Sequence, residues 1–286
     1  MKQAYGVQKR ITKKRRQLIE SIDAIASEYS AQGMRITVRQ VYYQCVSRGI
    51  MPNSKKEYEK ISDLVADGRM AGLIDWDAIE DRTRYVRANA HWYSPQQIIK
   101  DAAEQYRIDT RATQPNYVEA WIEKDSLVSI LEQTCSRLDV PCFSCRGFTS
   151  ITALHEAAER FRDKENAIIL YAGDHDPSGL KIPQVITERF TDFEVNVQLH
   201  RIGLTLEQIR KLDLPPFPAK QSDNNFKEYF MNTGLTKSWE LDALSPDTLS
   251  AMFENAINSL TNFRELERMR AIEKQHMSYF SRLLSA

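Results

Sequence analysis

Three carboxylates and one phenol are the side chains whose type and spacing point to chemistry. Glu123 ends the apolar-rich stretch 117–123, and "GDHDPSG", residues 173–179, begins directly after the apolar run AIILYA. Successive side chains of an extended segment point to opposite faces, so Asp174 and Asp176 share one face and His175 takes the other. If both stretches are strands of one sheet, Glu123 can come alongside the two aspartates. Three converging carboxylates make a hard-oxygen site suited to Mg²⁺, which keeps several waters while joining a few carboxylates to phosphate oxygens. Such a metal stabilises charge on a phosphodiester undergoing displacement. Aspartates in turns also cap helices and satisfy loop N–H groups; a glutamate closing an earlier strand, together with the D-x-D-P-S-G turn, favours the metal site. The phenol belongs to "ITVRQVYYQC", residues 36–45, where Tyr42 and Tyr43 follow Arg39. A phenol with a pKa of ~10 needs a neighbouring cation or base to become a nucleophile. Arg39 lies four residues before Tyr43, within one helical turn.

These residues need elements to hold them. Thr37 and Gln40 form a T-x-x-Q capping box that starts a helix just before Val38, and Gly49 and Pro52 break the chain after about Ser47. In that phase Val38, Val41, Tyr42 and Cys45 fall at i, i+3, i+4 and i+7, an apolar stripe that faces a core. Tyr42 is then a packing residue. Tyr43, about 100° further round, shares a face with Arg39 and Ser47 where a DNA phosphate can reach it. An amphipathic helix over about residues 12–30 precedes this one. A third follows Asn53 or Ser54 and ends near Gly72, with Lys55, Lys56, Lys60 and Arg69 distributed around it. "LIDWDAIEDRTRYV", residues 73–86, suits a short strand pair. Three helices and a β wing read as a winged helix-turn-helix whose third helix would lie in the DNA major groove.

The charge distribution agrees. The chain is neutral overall, with 39 basic and 39 acidic residues. Residues 1–92 hold 17 Lys+Arg against 11 Asp+Glu, net +6, which leaves 22 against 28, net −6, for the remainder. The basic N-terminal arm, including Lys13, Lys14, Arg15 and Arg16, contains no acid over its first nineteen residues; with Lys55, Lys56, Lys60 and Arg69 it forms the expected DNA-binding set. No apolar run approaches the ~18 residues of a membrane span. Four cysteines are too few for a disulfide framework, and the N-terminus is basic and polar rather than an apolar leader, so a reduced, cytoplasmic setting is expected.

Beyond residue 93 a connecting segment (94–115) carries one helix, and then strands alternate with helices through about residue 246. This favours a parallel sheet with ligands at the carboxyl ends of its strands. The tail, 247–286, reads as helical, with Met269 and Ile272 as packing or dimer contacts. Cys142 and Cys145 have C-x-x-C spacing without a second pair and read as buried-strand residues. His155 reads as surface. Lys124 and Arg146, near strand ends, fit phosphate contacts or solvated charges equally. Glu240 and Asp242 are further candidates for the acidic cluster, with no placement from sequence.

A glutamate closing the first strand, in "WIEKDSL", followed 51 residues later by D-x-D-P-x-G at Asp174, Asp176, Pro177 and Gly179, resembles a Toprim domain. The match is to the topoisomerase VI A subunit and the related Spo11 proteins. That family carries a winged helix ahead of the Toprim domain, with an R-x-x-Y-Y or R-x-x-F-Y motif whose counterpart here is Arg39, Tyr42 and Tyr43. "WELDALSP", residues 239–246, resembles the segment that closes the family's Toprim domain. The resemblance implies an α/β protein: a winged-helix domain (1–93), the connecting segment, a Toprim-like catalytic domain (116–246) and the helical tail. It further implies a DNA-cleaving homodimer in which Tyr43 attacks a phosphodiester and forms a 5′-phosphotyrosyl link. Mg²⁺ on the other subunit's Glu123, Asp174 and Asp176 would assist, with Arg39 at the scissile phosphate. This chain has no ATP-binding module of its own, so an ATPase partner subunit would be needed for strand passage, and residues 44–52 depart from the family pattern. Two alternatives stand beside it: a Toprim endonuclease that hydrolyses nucleic acid without a covalent intermediate, and a winged-helix DNA-binding protein without turnover.

Overall fold

Two groups of buried side chains, one from the first eighty residues and one around a central sheet, organise the chain. The computed structural model describes residues 2–5, 11–80 and 89–285. In the first group, α1 (Lys13–Ser30) contributes Ile19, Ile22, Ile25, Ala26 and Tyr29, the stripe its helical period requires. Strand β1 (Ile36–Thr37) leads straight into α2 (Val38–Ser47), and α3 (Lys55–Met70) completes the unit. Each helix starts at a side-chain cap: Thr12 accepts from the Arg15 amide at 3.4 Å and Ser54 from the Glu57 amide at 3.3 Å. The predicted capping box on α2 is present, with Thr37 Oγ1 accepting from the Gln40 amide at 3.3 Å and Gln40 Oε1 accepting from the Thr37 amide at 2.7 Å. Of the expected strand pair in 73–86, the first member is β2 (Ile79–Glu80), which pairs in parallel with β1. Residues 81–86 of that stretch lie outside the described residues.

After α4 (Pro95–Gln105) the alternation read from sequence is present: β3 (Tyr117–Ile122), α5 (Val128–Leu138), β4 (Cys142–Ser144), α6 (Ile151–Phe161), β5 (Ala167–Ala172), α7 (Pro177–Asp192) and β6 (Val197–Gly203). The four strands form one parallel sheet in the order β4-β3-β5-β6. The α/β class with a parallel sheet is therefore borne out. Strand β5 is buried along its whole length, as a central parallel strand covered on both faces should be. Helix α5 packs one face of the sheet and α6 and α7 the other.

The chain leaves β3 toward one edge to make β4 and then crosses back to make β5 and β6. The order therefore reverses between β3 and β5, where open α/β sheets bind ligands beyond the strand carboxyl ends.

Beyond the sheet come α8 (Leu206–Lys211), β7 (Phe217–Pro218), α9 (Phe226–Thr233) and β8 (Lys237–Ser238), with β7 and β8 pairing antiparallel. A one-turn segment, Leu241–Ala243, leads into α10 (Pro246–Ser259), which joins α5 against the sheet. The tail is helical as expected. Helix α11 (Phe263–Ser285) turns back to α4, where the Tyr106 hydroxyl lies 2.8 Å from His276 Nδ1. The connecting segment and the tail thus support each other.

Candidate active site

The reversal point between β3 and β5 gathers the predicted carboxylates. Glu123 follows β3, and its Oε2 accepts from the Asp174 amide at 2.8 Å. A Cβ on Gly173 would stand 2.6 Å from that same Oε2 and 2.5 Å from the Tyr171 hydroxyl, so only glycine leaves room for the Glu123 carboxylate. Asp174 Oδ1 accepts from the Leu241 amide at 2.7 Å, and its Oδ2 lies 2.8 Å from Lys124 Nζ. Asp176 caps α7, with Oδ1 accepting from the Gly179 amide at 2.6 Å. Arg201 on β6 braces the turn through its main chain, donating to the carbonyls of Gly173, Asp174 and Gly179 at 3.0, 2.6 and 2.8 Å. His175 faces away, as strand alternation predicts, and its ring lies against Tyr229 and Trp239.

Sequence reasoning underrated one residue and left two unplaced. Lys124 is no solvated strand-end charge. Its side chain is only 11% exposed, and the ammonium bridges Asp174, Glu240 and Asp242, at 2.8 Å to the first and 3.0 Å to the last. The turn at 240–242 thereby joins the cluster, and Ser126 donates to Asp242 Oδ1 at 3.0 Å. Arg39 reaches the same turn from α2, 3.3 Å from Glu240 and 3.6 Å from Asp242. Arg146, by contrast, is exposed beside Asp125.

Tyr43 departs from expectation. Helical phase places it on the Arg39 face, and the Arg39 guanidinium does lie 5.7 Å from its ring centroid. That face is not open: Tyr43 is 7% exposed, covered by Phe217 at 6.0 Å between ring centroids and adjoined by the turn at 240–242. Tyr42 packs as predicted, its hydroxyl donating to Asn53 and accepting from the Ser54 amide, both at 2.8 Å.

The basic residues proposed for DNA do not form one patch. Arg15 pairs with Asp67, near the end of α3, at 2.6 Å, so Lys13, Lys14 and Arg16 lie toward that end. Lys55 and Lys56 stand exposed at the start of α3, about 20 Å away at 1.5 Å per residue, next to Ser54, whose amide donates to the Tyr42 hydroxyl. Lys60 pairs with Glu57 at 2.8 Å. Arg69 is turned inward, donating to the carbonyls of Trp76 and Ile79. Four cations with no acid in the first turn of α1 oppose the helix dipole. Such a placement costs helix stability and suits a polyanion.

Five carboxyl groups (Glu123, Asp174, Asp176, Glu240, Asp242) thus meet three cations (Arg39, Lys124, Arg201), a formal excess of two negative charges when all five are ionised. Burial pushes the Glu123, Asp174 and Asp176 carboxyls above the ordinary carboxylate range, and neighbouring carboxylates add to the rise against the pull of Lys124. Burial also opposes the Lys124 ammonium, but Asp174, Asp242 and Glu240 outweigh it and hold the pKa well above that of an ordinary lysine. Burial raises the Tyr43 phenol, with Glu240 adding to the rise while Lys124 and Arg39 pull against it.

The donor set fits Mg²⁺ in kind, with hard oxygens and an unbalanced negative charge. Among the described residues no three such side chains converge on one point as they stand: Lys124 draws Asp174 toward Glu240 and Asp242, and the Gly179 amide engages Asp176. No family model, curated protein or solved structure matches the chain.

Proposed function

We propose that this chain cleaves DNA at the β3–β5 reversal point, in the manner its resemblance to the Toprim-bearing topoisomerase VI A subunit and Spo11 proteins implies. One observation carries the reading: Arg39 and Tyr43 of α2 lie against a carboxylate cluster at the sheet's ligand-binding edge, joined to it through Glu240 and Asp242; this cluster is the same chain's, whereas the resemblance implies that Tyr43 is served by the other subunit's. In this reaction the Tyr43 oxygen attacks phosphorus, the bond to the 3′-oxygen breaks, and the products are a 5′-phosphotyrosyl link and a free 3′-hydroxyl. Arg39 and Lys124 are the cations suited to stabilise the phenolate and the phosphate. Burial raises the Glu240 carboxyl, but Lys124 and Arg39 outweigh it and hold the group below the ordinary range, a weak base, so the phenolic proton would pass to water. Mg²⁺ held by Glu123, Asp174 and Asp176 would supply charge neutralisation at the phosphate. Lys55 and Lys56, and beyond them Lys13, Lys14 and Arg16, would contact the DNA backbone. A homodimer and an ATPase partner subunit belong to the same proposal.

A second reading is favoured by the burial of Tyr43: hydrolysis of the phosphodiester by water, with Tyr43 serving as packing between α2 and Phe217. Labelled DNA incubated with the protein and Mg²⁺, then denatured in detergent, separates the two. Label retained on the protein and lost in Tyr43→Phe establishes the tyrosine reaction. Cleavage that persists in Tyr43→Phe but disappears in Asp174→Ala establishes hydrolysis. Absence of cleavage with every divalent metal overturns both and leaves a DNA-binding protein.

A further inference from the structure

Three of the four cysteines gather around the edge strand β4, and the faces of the sheet sort them. Cys142 packs on the cluster that holds Cys135 of α5, whereas Cys145 belongs to the cluster on the opposite face. The C-x-x-C spacing of Cys142 and Cys145 therefore does not make a pair. Cys45 lies in the helical unit. The pair that the fold does make is Cys135 with Cys142.

Chain reversal brings these two together. Helix α5 ends at Leu138, Asp139 takes a left-handed φ of 54°, and the Val140 amide returns to the Cys135 carbonyl at 3.0 Å. Strand β4 then runs back beside β3, with Cys142 in register with Ala120. The two thiols are hydrogen-bonded to each other, and neither is in a disulfide. A short approach separates them from the ~2.05 Å of an S–S bond. Their surroundings differ: Cys135 is 1% exposed, and Cys142 is half-buried. The contact with Cys142, and then burial, raise the Cys135 thiol well above the ordinary cysteine range against the pull of Arg111, so Cys135 keeps its proton. A cavity of about 840 Å³ is lined in part by Cys135 and leaves room beside the pair for a small oxidant.

We propose that Cys135 and Cys142 are a site of reversible oxidation, closing to a disulfide when the protein meets a hydroperoxide and so cross-linking the end of α5 to β4. Cys142, the more accessible thiol, reacts first. Its sulfur attacks the peroxide, an S–O bond forms as the O–O bond breaks, and water leaves. The Cys135 sulfur then attacks the Cys142 sulfur, the S–S bond forms as the S–O bond breaks, and a second water carries away the Cys135 proton. Two thiols are oxidised while one peroxide becomes two waters. The bond pins an edge strand whose next residues, Cys145 and Gly147, donate their amides to the Ile122 and Glu123 carbonyls at 2.8 and 3.1 Å. It does not depend on the cleavage reading.

The test treats the native full chain with hydrogen peroxide, alkylates the remaining thiols in denaturant, digests with trypsin and reads the peptides by mass spectrometry. Trypsin cleaves after Lys124, Arg137 and Arg146, so the bond joins peptide 125–137 to peptide 138–146. The expected result is loss of two of the four alkylated thiols, with the linked peptides present in the parent protein and in Cys145→Ser, absent in Cys142→Ser, and separated by dithiothreitol. In Cys135→Ser, dimedone should label Cys142 as the stranded sulfenic acid. Cys142 is half-buried, so its variant should fold even if Cys135→Ser does not. Four alkylated thiols after peroxide, a linkage that survives Cys142→Ser, or one that forms only in urea would each overturn the proposal.

Discussion

Lys124 reaches three carboxylates from a nearly buried position, and Asp242, whose side chain has no exposure, depends on it and on Arg39 for compensation. Removing one member of a buried ionic cluster leaves its partners uncompensated, which typically costs about 3–5 kcal/mol. Lys124→Met is therefore expected to lower the free energy of unfolding by that order in urea titrations. Millimolar Mg²⁺ should return part of the loss in this variant and change the parent protein less, because the variant's carboxylate cluster lacks one more of its cations. Equal responses of the two proteins to Mg²⁺ would argue against a metal among these carboxylates. Tyr43→Phe behaves differently: the ring keeps its contacts with Phe217 and Tyr42, so stability should move by no more than about 1 kcal/mol, while any protein–DNA adduct disappears. Cys45 gives a pH-dependent signature away from the site. Burial pushes its thiol up to about 11, whereas an unfolded cysteine titrates near ~8.5. The folded state then holds the proton longer, so stability is fully present below the unfolded value and declines as pH rises through the interval to the folded one. Unfolding titrations at successive pH values should show that decline, and it should flatten in Cys45→Ala.

At the scale of elements, α2 carries both Arg39 and Tyr43, and its start is set by one reciprocal cap. Thr37→Ala removes that cap and should cost about 1 kcal/mol, measurable as a shift in the denaturation midpoint. Gly173→Ala should cost more, because its Cβ meets the Glu123 carboxylate and the Tyr171 hydroxyl and one of them must move. A loss of cleavage in Gly173→Ala larger than in Thr37→Ala is the expected order. The close approach at Gly173 was not legible in the chain, because the Glu123 carboxylate that crowds it comes from another strand; the α2 cap was, since T-x-x-Q is a local signal. The sheet strands were legible for the same reason, since periodicity and breakers act over a few residues. The contents of the cluster were not. Lys124 and Glu240 are 116 residues apart and Arg39 and Glu240 are 201 apart, and no local rule brings such pairs together. Helical phase correctly assigned Tyr43 to the Arg39 face, but what covers that face comes from Phe217 and the turn beyond β8, far along the chain. The pairing of β2 with β1 escaped for the related reason that a wing is assumed to pair with its sequence neighbour.

At the scale of the whole molecule, the helical unit and the sheet unit meet at the proposed chemistry. Arg39 pairs with Glu240 and Asp242, the Gln44 amide reaches the Leu244 carbonyl at 3.5 Å, and Phe217 lies on Tyr43. A phenol 7% exposed is not within reach of a phosphodiester, so attack by Tyr43 requires α2 to part from the 240–242 turn. The contacts to be broken are few and mostly ionic, and the exposed Arg39 side chain is weakly held compared with the buried bonds of the D-x-D turn. DNA carrying its own negative charge would compete with Glu240 and Asp242 for Arg39 and Lys124, which makes the polyanion the agent of opening. Hydrogen exchange then distinguishes the two reactions without reference to products. If Tyr43 is the nucleophile, adding DNA should raise exchange in peptides spanning residues 38–47 and 239–244 while the strands β3 and β5 stay protected. If water is the nucleophile at the carboxylates, the substrate needs no access to Tyr43, and those two peptides should keep or gain protection on binding DNA. Raising salt should reduce the DNA-induced change by screening the same charges, so an opening insensitive to salt would exclude competition for Arg39 as its cause.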